Sequence, residues 1–205
     1  MTATLTTVRG TPTLELSASV LRAFASLVPT SSAYKTVPRL CILDPLPDGR
    51  VRAFSSDGVS AVIVKAEGHC QRPMALGMPI LRRLLNSHRD AELVSIVARD
   101  DEPFLRVRSF STGMTLAIEG AAEECFADAA AIDRIEAMGD GESGGSATMS
   151  VLALQPLRAL LAAGGAINRV HVRVMAGEGP LVIDAAHPKE GWSARVITMR
   201  CRERE

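Results

Sequence analysis

The sequence predicts an α+β protein built from three strand–helix–strand–strand–strand repeats, with antiparallel sheets on the outside and helices lining one face. Two kinds of internal repetition support this prediction. The stretch "RVRAFSSDGVSAVIVKAEG" (residues 50–68) closely resembles "RVRSFSTGMTLAIEG" (residues 106–120), and each has the pattern of two strands joined at a glycine turn. Leu-Arg pairs also recur at positions 21–22, 81–82 and 157–158.

Each Leu-Arg pair lies in a predicted amphipathic helix that follows a short alternating strand. The three segments are "LELSASVLRAFASLV" (14–28), "MALGMPILRRLLNS" (74–87) and "SVLALQPLRALLAAGG" (150–165). Ser17 is the predicted N-cap of the first helix, and Pro79 and Pro156 stand where the next two helices begin. Pro29 ends the first helix and the glycine pair at 164–165 ends the third.

Three strand candidates follow each helix, which completes the repeat. The first unit offers "VPRLCIL", "RVRAFSS" and "VSAVIVKA"; the second offers "AELVSIVAR", "FLRVRSFS" and "MTLAIEG"; the third offers "NRVHVRVMA", "PLVIDAA" and "SARVITMR". An acidic stretch that ends in Gly and Ser separates the second unit from the third. We therefore predict a domain of two repeats over residues 1–122, a connector over 123–146 and a third repeat over 147–205.

Composition narrows the function classes. With 47% apolar and 22% charged residues, the chain belongs among globular proteins, and no segment has the pattern of a signal peptide or a transmembrane span. Four scattered cysteines without a CxxC pair favour reduced thiols in the cytoplasm. The four histidines lack metal-ligand spacing, and no nucleophile or phosphate-loop motif occurs. The sequence thus predicts no enzyme activity, no metal and no cofactor.

The predicted helices each bury one apolar face and show a thin, mostly basic one. The Arg after each Leu is turned about 100° away from the buried stripe. Formal net charge is zero, so contact with nucleic acid requires a local concentration of Arg. An exposed Arg is on its own as consistent with a solvated surface. Its recurrence at the same register favours a shared anionic partner, for which the DNA backbone is the natural candidate.

The chain resembles the DNA sliding clamps, the processivity factors of replicative polymerases. The strand–helix–three-strand unit carries this resemblance, and "SSAYKTVPRLCILDPLPDGRVRAFSSDGVSAVI" is similar to the first repeat of a bacterial beta clamp. "ECFADAAAIDRI" lies where that family has an acidic-aromatic interdomain segment, and "SARVITMRC" resembles its closing strand. The chain departs from the family in having only three units, in lacking a Met-Pro before Met199-Arg200, and in a "CRERE" tail.

The resemblance implies a protein that encircles double-stranded DNA and tethers a DNA polymerase or a clamp loader. The DNA-facing residues would be arginines of the helix faces: Arg22, Arg82, Arg83, Arg89 and Arg158. The family's apolar pocket for partner peptides would take Val196, Ile197, Met199 and Arg200 from the closing strand, with Leu154 and Pro156 beside them. Val196 and Ile197 fit an ordinary strand core better, whereas the flexible Met199 thioether suits a surface for several partners.

The resemblance also implies a closed homo-oligomeric ring. Family rings hold about twelve strand–helix units, so that four copies of a three-unit chain give the expected tetramer, and a smaller open assembly is the main alternative. The alternative function is a clamp-fold protein-binding module or inhibitor that does not encircle DNA.

Overall fold

The structure is a computed structural model, and it describes residues 13–28, 40–87, 93–98, 104–109, 115–119, 129–144, 170–176, 179–187 and 191–199. In chain order the elements are β1 (Leu14–Ser17), α1 (Ala18–Leu27), β2 (Leu40–Pro45), β3 (Arg50–Ser56), β4 (Ser60–Cys70), β5 (Met74–Gly77), α2 (Met78–Ser87), β6 (Leu93–Ala98), β7 (Phe104–Ser109), β8 (Thr115–Glu119), α3 (Ala129–Ala137), β9 (Val170–Val174), β10 (Leu181–His187) and β11 (Trp192–Thr198).

The first two predicted repeats are present, and they interlock. The strands run in the order β5-β2-β3-β4-β1-β6-β7-β8, and every pair is antiparallel. Each half of this order therefore combines three strands of one repeat with the first strand of the other. Because each repeat contributes a strand to the other, the two share one continuous sheet, with α1 and α2 on the same face.

Local chemistry explains where these elements begin and turn. The Ser17 side chain caps α1 by accepting a hydrogen bond from the Ser19 amide at 3.3 Å. Pro79 stands in the first turn of α2, where no intrahelical hydrogen bond is lost. The β3–β4 hairpin turns at Gly58, whose φ of 86° suits a residue without a Cβ. The Asp57 carboxylate secures this turn by accepting from the Ser60 amide at 2.7 Å.

The third repeat joins the first through β4. Strands β9, β10 and β11 form an antiparallel group, and β11 pairs with β4 from Trp192↔Ala66 to Thr198↔Ser60. After Ala66, the last residues of β4 pair with β1 instead of β11, as at Gly68↔Leu16. The long strand β4 thus holds two partners in succession on one side. The predicted third helix lies outside the described residues.

Helix α3 lies within the segment predicted as a connector, and it packs on the sheet face opposite α1 and α2. Along β3, Val51 and Ala53 belong to the core beneath α1 and α2, whereas Phe54 packs in a second cluster with Ile132 of α3. Residues alternate between the faces of a strand, so the two clusters lie on opposite sides of the sheet. We call the α1–α2 side the helix face and the α3 side the outer face.

The α+β class with antiparallel sheets and helices on one face is confirmed, with α3 as an addition on the outer face. The assignment of residues 1–122, 123–146 and 147–205 to separate domains stays a prediction.

Candidate nucleic-acid interface

Helices α1 and α2 lie side by side and leave a groove of about 350 Å³ between them. Its lining consists of one Arg, one amide or hydroxyl residue and one apolar residue from each helix: Arg22, Ala25, Ser26, Arg82, Leu85 and Asn86. The Arg82 guanidinium donates from Nη2 to the Ala25 carbonyl at 3.5 Å, across the helix pair. Arg22 and Arg82, predicted from the repeated Leu-Arg register, therefore meet in one place.

Packing of the leucines directs these arginines away from the sheet. Leu21 and Leu81 are fully buried in the core beneath the helices. The next residue of an α-helix is rotated by about 100°, which leaves Arg22 and Arg82 half-buried on the groove. Arg83, one position further, is exposed.

The charge on α1 and α2 has a single sign. Their sequences, ASVLRAFASL and MPILRRLLNS, contain three arginines and no acidic residue. A groove with two guanidinium groups and an amide offers donors for phosphate oxygens, whereas the Ser26 hydroxyl already donates to the Ala23 carbonyl at 2.7 Å. Such contacts position a protein on DNA without reading sequence.

The other predicted DNA-binding residues, Arg89 and Arg158, lie outside the described residues. So do Leu154, Pro156 and Arg200 of the predicted partner pocket. Val196 and Ile197 are buried, and they pack in the two cores on opposite faces of the sheet. Met199 is 47% exposed, and its amide donates to the Val59 carbonyl at 3.0 Å.

The outer face carries an ion-pair network centred on Arg52, which the sequence reasoning did not anticipate. The Arg52 guanidinium donates from Nε and Nη2 to both oxygens of Asp44, at 3.2 and 2.8 Å, and both side chains are buried. Its Nη1 reaches Asp133 at 2.5 Å and Glu136 at 3.4 Å, both on α3. Although burial opposes it, hydrogen bonding to the Asp44 and Asp133 carboxylates raises the pKa of Arg52.

Two further cations extend this network toward the third repeat. Lys65 of β4 forms an ion pair with Glu136. Arg195 of β11 donates from Nε to Asp184 at 2.7 Å and from Nη1 to Asp140, after α3, at 2.7 Å. An open cavity of about 400 Å³ lies beside α3, and Lys65, Glu136, Asp184 and Arg195 are among its lining residues.

The described residues show no grouping typical of a metal site, and one described thiol is unreactive at neutral pH. No three His, Cys, Asp or Glu side chains among them lie close enough to hold a metal ion. Burial raises the pKa of the Cys70 thiol to about 11, which keeps it protonated at neutral pH. None of the described helices is long and apolar enough to cross a membrane.

Neither a protein-family model nor a curated protein matches the sequence. Solved structures do match the fold. The DNA polymerase III beta subunit of Thermotoga maritima superposes with a TM-score of 0.62 at 10% identity, over 94% of this chain and 65% of that one. The sliding clamp of Bacillus subtilis gives 0.63 at 11% identity, over 97% and 66%.

A third match comes from the eukaryotic clamps. The Proliferating Cellular Nuclear Antigen of Entamoeba histolytica gives a TM-score of 0.60 at 10% identity, over 94% of this chain and 100% of that one. The chain thus spans about two thirds of the length of the two bacterial clamps. These likenesses, together with the interlocked repeats and the neighbouring helices α1 and α2, show that the chain has the fold of the DNA sliding clamps.

Proposed function

We propose that this protein is a DNA sliding clamp, which encircles duplex DNA as a homo-oligomeric ring and tethers a polymerase or another DNA-processing protein. The observation that carries this proposal is the purely basic charge of α1 and α2. In a chain of zero formal charge, these two neighbouring helices hold three arginines without an acid, and two of the arginines share one groove.

The arrangement suits sliding better than tight binding. A few guanidinium groups attract phosphates modestly and in a salt-dependent way. This attraction is the same at every position along the duplex. Direct affinity is not what retains an encircling ring, so that weak contacts are sufficient. Arg89 and Arg158 are proposed to extend the face formed by Arg22, Arg82 and Arg83.

The partner surface is proposed near the end of β11, where Met199 is exposed. Leu154, Pro156 and Arg200 would complete a pocket for short peptides of a polymerase or a clamp loader. In this role the protein acts in DNA replication in the cytoplasm, without an enzymatic activity or cofactor of its own.

Encirclement is tested by topology. The protein is incubated with closed circular plasmid, the complex is isolated by gel filtration, and half of the sample is then linearised with a restriction enzyme. We expect retention on the circle and release from the linear form. Equal retention on both forms would contradict encirclement and favour the protein-binding module or inhibitor.

A matched pair of charge reversals tests the helix face. Arg82→Glu with Arg83→Glu should weaken direct affinity for a short linear duplex at low salt, measured by fluorescence anisotropy, at least tenfold, since two phosphate attractions become repulsions. The control, Arg50→Glu with Arg134→Glu, makes the same change in net charge at two exposed positions of the outer side. Equal loss in both variants would mean that overall charge, and not the helix face, holds the DNA.

The ring itself is tested by light scattering across micromolar concentrations. Four copies of the 21.8 kDa chain give a tetramer of about 87 kDa, with three repeats from each copy. A strictly monomeric species would remove the ring and with it the sliding function.

A further inference from the structure

The surface beneath α3 has the composition of a binding site. We define the outer trough as this part of the outer face: an apolar floor formed by Phe54 and Ile63, bordered by the cations Arg52, Lys65 and Arg195. Its residues come from β3, β4 and β11, so that the trough crosses the junction of the first and third repeats.

Helix α3 fills the trough with a regular pattern. Ile132 is buried against the floor and Ile135, one turn later, packs partly against it. Asp133 and Glu136 follow these two isoleucines and reach Arg52 and Lys65. The spacing of i and i+3 for the apolar residues, and of i+1 and i+4 for the acids, is that of an acidic amphipathic helix.

Without α3, the two arginines of the trough keep a carboxylate partner, whereas Lys65 loses its ion pair with Glu136. Arg52 retains both hydrogen bonds to Asp44, and Arg195 retains its bond to Asp184. Only Nη1 of each guanidinium is used for α3 and the residues that follow it. Removal of α3 therefore leaves each arginine paired with one carboxylate.

The attachment of α3 is short and combines the packing of Ile132 and Ile135 with ion pairs. The helix has nine residues, of which Ile132 is the one fully buried large apolar side chain. The carboxylates of Asp133 and Asp140 are 66% and 61% exposed, and ion pairs in such positions contribute little and weaken with salt. Glu136, at 18% exposure, is the acid of this segment that is held more firmly. The cavity beside α3 leaves Lys65 and Arg195 accessible to solvent from the other side.

We propose that the outer trough is a docking site for an acidic amphipathic helix of another polypeptide. This helix would bind in the trough after displacing α3. The partner segment would carry apolar residues at i and i+3, acids at i+1 and i+4, and a further acid at i+8 that takes the position of Asp140 opposite Arg195. This inference does not rest on the DNA-binding role, because none of the trough residues belongs to the helix face.

The experiment tests whether a separate peptide with the α3 sequence binds to the protein. A fluorescent peptide of residues 129–141 is titrated with the wild-type chain and with the Asp133→Lys, Glu136→Lys variant, in which α3 is repelled by Arg52 and Lys65. Fluorescence anisotropy should show at least tenfold tighter binding to the variant, because its own α3 no longer competes. A control peptide with both acids changed to Lys should bind at least tenfold more weakly than the native peptide.

Two outcomes would overturn the proposal: equal binding of the native and charge-changed peptides, or no binding of either to the opened variant. A mixed complex between the opened variant and the wild-type chain, formed without peptide, would identify a second copy as the occupant and overturn the assignment to another polypeptide. Fluorescence of Trp192, which is buried on β11, checks that the variant is folded. If the Lys variant is not folded, the milder double variant Asp133→Asn, Glu136→Gln is used in its place.

Hydrogen exchange on the unaltered chain gives an independent measurement. Amides of α3 should exchange at least tenfold faster in 1 M salt than at low salt, whereas those of β4 should change little. If α3 exchanges as slowly as β4 at both salt concentrations, the trough does not open and the inference is wrong.

Discussion

Replacement of Arg52 by Met tests whether the outer-face network is organised around one buried pair. Met matches the length of the aliphatic part of Arg but leaves Asp44 without a counter-ion. The side chains of Arg52 and Asp44 are only 4% and 7% exposed, so that water does not replace the lost guanidinium. Removal of one partner from such a pair costs about 3–5 kcal/mol of the free energy of unfolding.

The same guanidinium also meets Asp133, which provides an internal comparison. The Asp133 carboxylate is 66% exposed. Its replacement by Asn should cost at most about 1 kcal/mol, since exposed ion pairs contribute little. Both substitutions remove an ion pair of the same Arg52 side chain. The difference between their losses in free energy of unfolding therefore measures the effect of burying the carboxylate partner.

Urea unfolding followed by Trp192 fluorescence measures both values. Trp192 is suited to this purpose because it is 3% exposed and pairs with Ala66 of β4, next to the network. The double substitution Arg52→Met, Asp44→Leu should recover most of the loss, because no buried charge then remains unpaired. Equal effects of Arg52→Met and Asp133→Asn, or a double variant no more stable than the single one, would refute the reasoning.

Two further predictions concern the junction of the two halves of the sheet. Gly68→Ala should destabilise the fold by about 1–3 kcal/mol, because an added Cβ would lie 2.7 Å from the Glu15 carbonyl of β1. The control variant Gly77→Ala should change stability far less, because no atom lies nearer than 3.7 Å to its added Cβ. Urea midpoints compare the two, and equal loss would contradict the close approach of β1 and β4. The Cys70 thiol, with a pKa of about 11 where the ordinary value is 9.0, should alkylate roughly a hundredfold more slowly at pH 8 than in the unfolded chain, and the rate should rise with pH up to about 11. Mass spectrometry of the peptide that contains Cys70 measures this rate, and a folded-state rate equal to the unfolded one would refute the effect of burial.

The repeats were predictable because their information is local. A strand that alternates and a helix that buries every third or fourth residue each leave a pattern within a dozen positions. Leu21 and Leu81 carry that pattern, and the position of Arg22 and Arg82 follows from it by helix geometry alone. For this reason the one part of the predicted DNA-binding set that the structure brings together is also the part with the clearest register.

The outer-face network was not predictable in the same way. Arg52 and Asp133 are 81 residues apart, and no local spacing indicates that they meet. Asp133 and Glu136 belong to an acidic stretch that favours a solvated connector, and only the three-dimensional path of the chain places it over Phe54 and Ile63. The one local signal was Arg52 itself, an arginine between the apolar residues Val51 and Ala53 of a strand.

Charge segregation explains how a neutral chain can have a basic face. Arg173 of β9 also joins the outer-face network through an ion pair with Asp184. Four cations then meet five carboxylates, so that these groups nearly cancel: Arg52, Lys65, Arg173 and Arg195 against Asp44, Asp133, Glu136, Asp140 and Asp184. The field that remains near α1 and α2 comes from arginines without acidic neighbours on those helices. Because exposed charges act over about 8 Å at physiological salt, the acids on the far side of the sheet do little to screen that face. Zero net charge is therefore compatible with a basic helix face, because the acids of the network lie on the outer face.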